Sequence, residues 1–326
     1  MTKYPHCQYP QNVTNKYYVT NFYRFTPVGS PELAKLELLD LGASLNLNGL
    51  IILATEGLNG TLATRSEADR AQAKSWLADR FNLKPEEFKD SESFKRPFRH
   101  DLQVRLRPEI VTLQRPDLVP QSRDESYLSP EQWHEWLQND RSQFTLLDTR
   151  NEYEYKIGAF RGALNPKIGQ FTEFPDVAEH ALKVDKSKPV LIYCTGGIRC
   201  EKAALELKKR GYEKVYQLHG GILRYLEKFP NREFEGECFV FDDRVAVDQQ
   251  LNATTRYILC PHCGDPADQK ISCAECGQSQ IICLACKEQP SVNQACSKNC
   301  AHHLRLKPWK KLSALQTVEP FSNPTK

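Results

Sequence analysis

The chain has 326 residues, of which 40% are hydrophobic, and carries a formal charge of +3 at neutral pH. Its length is too great for one small domain and its apolar content is enough for two or three cores. The small charge excess gives no bulk argument for nucleic acid, and the longest apolar run, Leu50 to Ala54, is far too short to span a bilayer.

The first segment reads β-α-β-β-α-β. Tyr17 to Tyr23 is a strand, and Ser30 caps a leucine-rich helix that begins with Pro31 and runs to about Leu45. Gly49 to Ala54 is a buried strand, and Gly57-Leu58-Asn59-Gly60 is read as a turn into Thr61-Leu62-Ala63. Ser66 caps a second helix ending near Phe81, and the alternation in Leu102 to Arg107 closes the unit. This order predicts a ferredoxin-like split βαβ domain over residues 1–115, with an RNA- or substrate-binding role. A polar linker, Pro116 to Ser126, follows. Ser129 to Gln132 is a capping box that opens a helix presenting Trp133, Trp136 and Leu137. Strands at Phe144–Asp148, Val190–Tyr193 and Lys214–Leu218 then alternate with helices, which predicts a parallel α/β domain over residues 127–232. Ligands of such sheets bind at the carboxyl ends of the strands, where Cys194 lies and where His219-Gly220-Gly221 forms a neighbouring loop.

Cys194-Thr195-Gly196-Gly197-Ile198-Arg199 joins the strand Pro189–Tyr193 to a helix-forming stretch that begins at Cys200-Glu201-Lys202. A cysteine ending a strand is by itself most often an inert packing residue. Here the unpaired N–H groups of a helix start, two glycines and Arg199 all favour an anion in the loop, and with it the thiolate. That is the setting of an activated nucleophile. Cys200 is read either as a resolving thiol or as a packing residue, and Asp148 with Arg150 as a buried structural pair.

Residues 233–326 are read as a cysteine-rich tail. After strand-like Glu237 to Val245 come Cys260-x2-Cys263, Cys273-x2-Cys276, Cys283-x2-Cys286 and Cys296-x3-Cys300. Eight thiolates in four close pairs suit two tetrahedral metal sites, and structural zinc explains the spacing without redox demands. Disulfides, iron–sulfur clusters and merely packed thiols compete with that reading, sequential and interleaved pairings both fit, and His302 and His303 are alternative ligands. Clustered metal-type spacing, with no N-terminal stretch of signal-peptide character, points to a soluble protein of the reducing cytoplasm. A basic, unpatterned terminus closes the chain, with disorder expected beyond Val318.

The loop, with Leu147-Asp148-Thr149-Arg150, Glu152 and Gly158 to Asn165, resembles the rhodanese family over roughly Tyr127 to Pro230. Related cysteine phosphatases place five residues between Cys and Arg; four stand here, and the phosphatase reading fails. A narrower resemblance rests on three motifs in order: Thr55-Glu56-Gly57-Leu58-Asn59-Gly60-Thr61, the Cys194 to Ala203 stretch, and Glu235-Gly236-Glu237-Cys238-Phe239-Val240-Phe241-Asp242. Together they resemble the rhodanese-domain tRNA uridine hydroxylases, which form 5-hydroxyuridine at the wobble position with molecular oxygen. The resemblance implies Cys194 as the catalytic cysteine, the tRNA anticodon arm as partner and oxygen as co-substrate. Arg199 is read as catalytic with it, orienting the loop carbonyls and the substrate anion, or else as a structural salt bridge, and Thr195, Gly196, Gly197, Ile198 and Cys200 as the active-site loop. The long cysteine tail varies within that family.

Chemically, a thiolate adding to uracil C6 would make C5 electron-rich. No flavin fingerprint, haem motif or facial triad is evident, and no nucleotide cofactor is expected. Two other functions compete: a persulfide sulfurtransferase acting on tRNA or a protein, and a tRNA-binding scaffold with a vestigial rhodanese domain. Candidate RNA contacts are Lys95-Arg96-Pro97-Phe98-Arg99, Arg105, Arg107, Lys202, Lys208, Lys209, Arg210 and the tail residues Arg305, Lys307, Lys310 and Lys311, with Phe94, Phe98 and Trp309 available for stacking. Glu56 and Asn59 are read either as nucleotide contacts or as parts of a glycine-shaped turn.

Overall fold

The computed structural model describes residues 16–120 and 126–315, with residue 181 and residues 307–315 described by backbone alone. The disorder expected beyond Val318 lies outside the described residues. The chain forms two compact units, one running through Thr254 and one from Thr255 onward.

The first unit begins with β1 (Tyr17–Phe25), α1 (Pro31–Ser44), β2 (Asn48–Ala54), β3 (Gly57–Thr64), α2 (Glu67–Phe81), β4 (Lys89–Ser93) and β5 (Gln103–Leu106). The sheet order is β4-β1-β3-β2-β5, with β5 parallel to β2 and the other pairs antiparallel. Ser30 and Ser66 accept hydrogen bonds from the amides of Leu33 and Asp69, so both expected caps form. Two local readings need correction. The hairpin turn is Thr55-Glu56, and Gly57 to Gly60 already belongs to β3. The strand that completes the split βαβ order is β4, with β5 added beyond it. Lys89-Asp90-Ser91-Glu92-Ser93 has no apolar alternation to reveal it; it is held by its ladder to β1 at the sheet edge.

Because side chains alternate across a strand, Phe22, Ile51, Leu53, Leu58 and Leu62 pack on one face against Leu38, Leu77 and Phe81 of the helices. The opposite face carries Tyr17, Val19, Asn21 and Tyr23 with Leu50, Ile52, Asn59, Thr61 and Ala63. Phe98 closes one end of that face against Tyr17, Val19 and Ala63. The other end meets the second half of the same unit.

That half contains β6 (Tyr127–Leu128), α3 (Pro130–Gln138), β7 (Thr145–Asp148), α4 (Glu152–Ile157), β8 (Gly158–Phe160), the short α5 (Phe174–Asp176), β9 (Val190–Tyr193), α6 (Ile198–Lys209), β10 (Val215–Leu218) and α7 (Gly221–Lys228). Its sheet is parallel, in the order β6-β10-β9-β7. Trp133, Tyr193 and Tyr225 fill one side, and Leu147, Ile192 and Leu207 the other. Residues 234–254, grouped with the tail on sequence, pack here: β11 (Phe234–Gly236) pairs with β8, and β12 (Cys238–Phe239) pairs with β13 (Ala246–Val247).

The second unit consists of two hairpins and two helices. They are β14 (Ile258–Leu259) with β15 (Pro266–Ala267), β16 (Gln269–Ser272) with β17 (Ser279–Ile282), α8 (Leu284–Lys287) and α9 (Lys298–Leu315). The stretch read as unpatterned is therefore helical as far as Leu315. Pro308 and the polar run around it hide the period, while Ser297 starts the helix by accepting from the Cys300 amide.

Candidate active site and cysteine clusters

Cys194 follows the last residue of β9, and Gly197 caps α6. Gly197 has φ +102, and a side chain there would also meet the Tyr23 hydroxyl at 2.9 Å, so only glycine fits. Its amide donates to Cys194 Sγ at 3.1 Å. The loop read as a neighbour is confirmed in that place: the Ile222 and Leu223 amides donate to the carbonyls of Cys194 and Thr195. Gly221, at φ +67, allows this approach, since a Cβ would lie 2.5 Å from the Cys194 carbonyl.

Burial pushes the Cys194 thiol up. The Cys200 thiol donating to it, the Arg199 charge, and the Cys200 and Arg199 amides outweigh that effect and bring it down from 9.0 to about 6. Burial and the neighbouring thiolate hold Cys200 well above the usual thiol range. Arg199 makes a two-pronged bond to Glu154, with Nη2 to Oε1 at 2.7 Å, and Glu154 is fully buried. Thr195 Oγ1 donates to the same carboxylate at 3.2 Å. Arg199 thus orders the loop through Glu154 and Thr195 while its charge reaches Cys194. Asp148 and Arg150 are fully buried and paired to one another, a structural bond at the end of β7. Sequence reasoning passed over Glu154, whose signal was its place three residues after the cap Asn151.

Above the loop lies a cavity of about 310 Å³. Cys194, Thr195, Gly196, Ile198 and Arg199 line one side; Asn21, Tyr23, Ile52, Asn59, Thr61 and Lys89 of the N-terminal sheet line the other. Phe241, which lies 5.4 Å from the Arg199 guanidinium, stands at its edge. The two walls are bolted together through α6. Tyr23 donates to Glu201 at 2.7 Å, and Tyr127 donates to the same carboxylate. Lys202 is fully buried between Glu56 at 2.9 Å and Glu109 at 2.6 Å. Glu56 also accepts from the Ile110 amide.

Several suggested RNA contacts therefore fall away. Lys202 is inside the protein, Glu56 is committed to it, Phe98 is in a core, and Arg210 is engaged by Glu206 and Glu179. Phe94, Arg96 and Arg99 remain exposed, on a segment tied to the Phe241 loop by the Asp243 amide donating to Pro97 and by Lys95 donating to the Arg244 carbonyl. The Trp309 side chain lies outside what is described. Among the described residues, no helix is long and apolar enough to cross a membrane.

In the second unit the eight tail cysteines form two clusters, Cys260-Cys263-Cys283-Cys286 and Cys273-Cys276-Cys296-Cys300, with all ligand atoms in each within 4.8 Å of one another. The pairing is interleaved: the first and third pairs share one cluster, the second and fourth the other. Each hairpin tip carries one pair, and Gly264 and Gly277, at φ +89 and +72, follow the second cysteine of each tip. Sγ–Sγ distances of 3.4 Å (Cys263–Cys283) and 3.5 Å (Cys276–Cys296) are close to the tetrahedron edge of about 3.8 Å implied by Zn–S bonds of about 2.3 Å. All eight are free thiols, so the donor set fits zinc. His302 and His303 belong to neither cluster.

An anion-favouring cysteine loop at the strand ends of a parallel sheet defines a rhodanese-like protein. Family models agree in chain order: a UPF0176 acylphosphatase-like domain matches residues 17–110, a rhodanese-like domain residues 129–228, and a "Rhodanase C-terminal" domain residues 235–301. Proteins named tRNA uridine(34) hydroxylase are similar across most of the chain. The one from Bdellovibrio bacteriovorus is 48% identical over 90% of this chain and 83% of its own. Those from Acinetobacter baumannii (40%, covering 87% and 89%) and Legionella pneumophila (43%, covering 72% and 91%) are also similar. The chain belongs to the tRNA uridine(34) hydroxylase family.

Proposed function

We propose that this enzyme hydroxylates uridine 34 of tRNA at C5, with Cys194 as the nucleophile. The observation that carries the reading is the placement of a thiol held near pKa 6 on the floor of a cavity whose far wall comes from another domain. A base buried between the stacked pairs of a helix cannot enter such a site, whereas a base turned out of an anticodon loop can. The Cys194 thiolate adds to C6, and the charge passes to C5 and the O4 enolate. C5 takes up molecular oxygen and a proton as a hydroperoxide, and two thiols of a small-molecule reductant reduce its O–O bond to give the C5 alcohol, water and a disulfide. Loss of the C5 proton then expels Cys194 and leaves 5-hydroxyuridine. Thr195, Gly196, Gly197 and Ile198 shape the loop, Arg199 and Cys200 favour the thiolate, and Phe94, Arg96 and Arg99 face the anticodon arm. Zinc, two ions per chain, is held by the two cysteine clusters as a structural element. The free thiols and clustered ligands suit the reducing cytoplasm.

The test is purified protein, undermodified tRNA, a thiol reductant and labelled oxygen gas, read by nucleoside mass spectrometry. Label at uracil C5, absent with Cys194→Ala, is the expected result. Sulfur in the tRNA would favour a sulfurtransferase; tight tRNA binding with neither product would favour a scaffold.

A further inference from the structure

Asparagine is a poor strand residue, yet Asn21 and Asn59 occupy the middle of β1 and β3 on the face turned away from the helices. Both line the Cys194 cavity together with Thr61. Each has a fixed orientation. Asn59 Nδ2 donates to the Ile110 carbonyl at 3.1 Å, which turns Oδ1, an acceptor, the other way. Asn21 Nδ2 donates to Thr61 Oγ1, directly across the ladder, which leaves the Thr61 proton as a donor. Two residues apart on the same face of β3, this acceptor and this donor complement N3–H and O4 of uracil. Cytosine presents an unprotonated N3 beside an amino group and would face both with the wrong polarity.

We propose that Asn59 and Thr61, oriented by Ile110 and Asn21, read the Watson–Crick edge of the uracil and make the site selective for uridine over cytidine. This rests on the hydroxylase reading of Cys194 and adds to it the group that selects the base. A partly buried site built to hydrogen-bond one polar edge rejects the wrong edge because its own groups are then left unpaired. Leu50 and Ile52 supply the apolar surround that makes that mismatch costly.

The test uses the full chain and synthetic anticodon stem-loops carrying uridine, 3-methyluridine or cytidine at position 34. In 3-methyluridine a methyl group replaces the N3 proton, which removes the hydrogen bond and keeps both carbonyls. Asn59→Leu should slow single-turnover oxidation of the uridine substrate by about 10- to 100-fold. It should leave the 3-methyluridine rate within about twofold of wild type, since the hydrogen bond is already absent there. Intrinsic reactivity differences between the substrates cancel in each variant-to-wild-type ratio. Equal losses on both substrates would mean a merely structural role for Asn59 and would overturn the proposal, as would no loss on uridine. Thr61→Val, compatible with a strand, gives a second variant if N59L folds poorly; it should narrow the preference for uridine over cytidine, and an unchanged preference counts against the proposal. Affinities measured in the Cys194→Ser background separate this from the hydroxylase reading. If wild type makes no hydroxylated product, that reading fails, while an Asn59-dependent preference for uridine over 3-methyluridine in binding would still support base recognition, and no preference would sink it.

Discussion

Lys202 offers the sharpest test of how the two walls of the cavity are joined. Its ammonium has no solvent exposure and sits within 3 Å of two nearly buried carboxylates, Glu56 at 2.9 Å and Glu109 at 2.6 Å. Lys202→Met removes the cation and leaves both acids buried. Breaking a buried ion pair from one side costs about 3–5 kcal/mol, because the remaining charge is uncompensated. For a unit of this size each kcal/mol lowers the melting temperature by about 2–4 °C, so K202M should melt roughly 6–20 °C lower. Fluorescence of Trp133, fully buried in the same unit, reports the transition. The triple change K202M/E56Q/E109Q removes all three charges and keeps an acceptor for the Ile110 amide and for one of the Leu113 and Gln114 amides, which use the two different oxygens of Glu109. It should recover part of the loss. A K202M shift under about 2 °C, or a triple variant no better than the single, would refute the claim that this cluster clamps the N-terminal sheet onto α6.

Alkylation of Cys194 by iodoacetamide, followed by peptide mapping, should rise as pH climbs through about 6 and level off by about pH 7.5, because only the thiolate reacts and it is the form above the pKa. A midpoint near the ordinary value of about 8.5 would end the argument for an activated thiol. Combining Arg199→Met with Glu154→Gln, which avoids orphaning the buried acid, should move that midpoint up by about one unit; no movement would assign the activation to the amides and Cys200 alone. Elemental analysis of protein prepared without chelator should find two zinc ions per chain, and Cys263→Ser should lower the count and loosen the second unit before the first. Protein carrying no metal and four disulfides among the eight cysteines would reverse the structural-zinc assignment.

Much of this fold can be read from local chemistry. Ser30, Ser66 and the Ser129–Gln132 box announce their helices through short-range hydrogen bonds that need no tertiary context. The apolar runs at Ile51–Leu53 and Val190–Tyr193 announce buried strands. The Cys194 loop is legible because strand, glycines and helix start are contiguous. β4 is not, since five polar edge residues become a strand only by pairing with β1. Nor is the fate of Lys202, which on a helix face looks like a solvated charge and is buried by carboxylates lying 93 and 146 positions away in sequence, at Glu109 and Glu56. Cysteine spacing shows the four pairs but not their interleaving, which depends on how two hairpins and two helix starts cross. The far wall of the cavity was hidden for the same reason: Asn21, Asn59 and Thr61 come together only through strand register.

The charge layout of the cavity also bears on which substrate the loop serves. A loop made for a preformed dianion should present uncompensated positive charge in the ground state. Here the one cation of the loop, Arg199, is neutralised by a two-pronged bond to Glu154, and Thr195, Gly196, Gly197 and Ile198 carry none. The other cation on the cavity lining, Lys89, stands on the opposite wall, 4.7 Å from the centre of the Tyr23 ring. A neutral uracil needs no ground-state counter-charge. In the proposed mechanism, addition of the Cys194 sulfur to C6 places negative charge on O4 of the ring, which the proposed pairing with Thr61 turns toward the sheet. An ammonium on that wall interacts more strongly with the enolate than with the neutral base, and stabilisation confined to the charged species lowers the barrier without tightening substrate binding. This layout, a neutralised loop facing a wall that carries one ammonium, supports the proposed addition to a pyrimidine over transfer from thiosulfate.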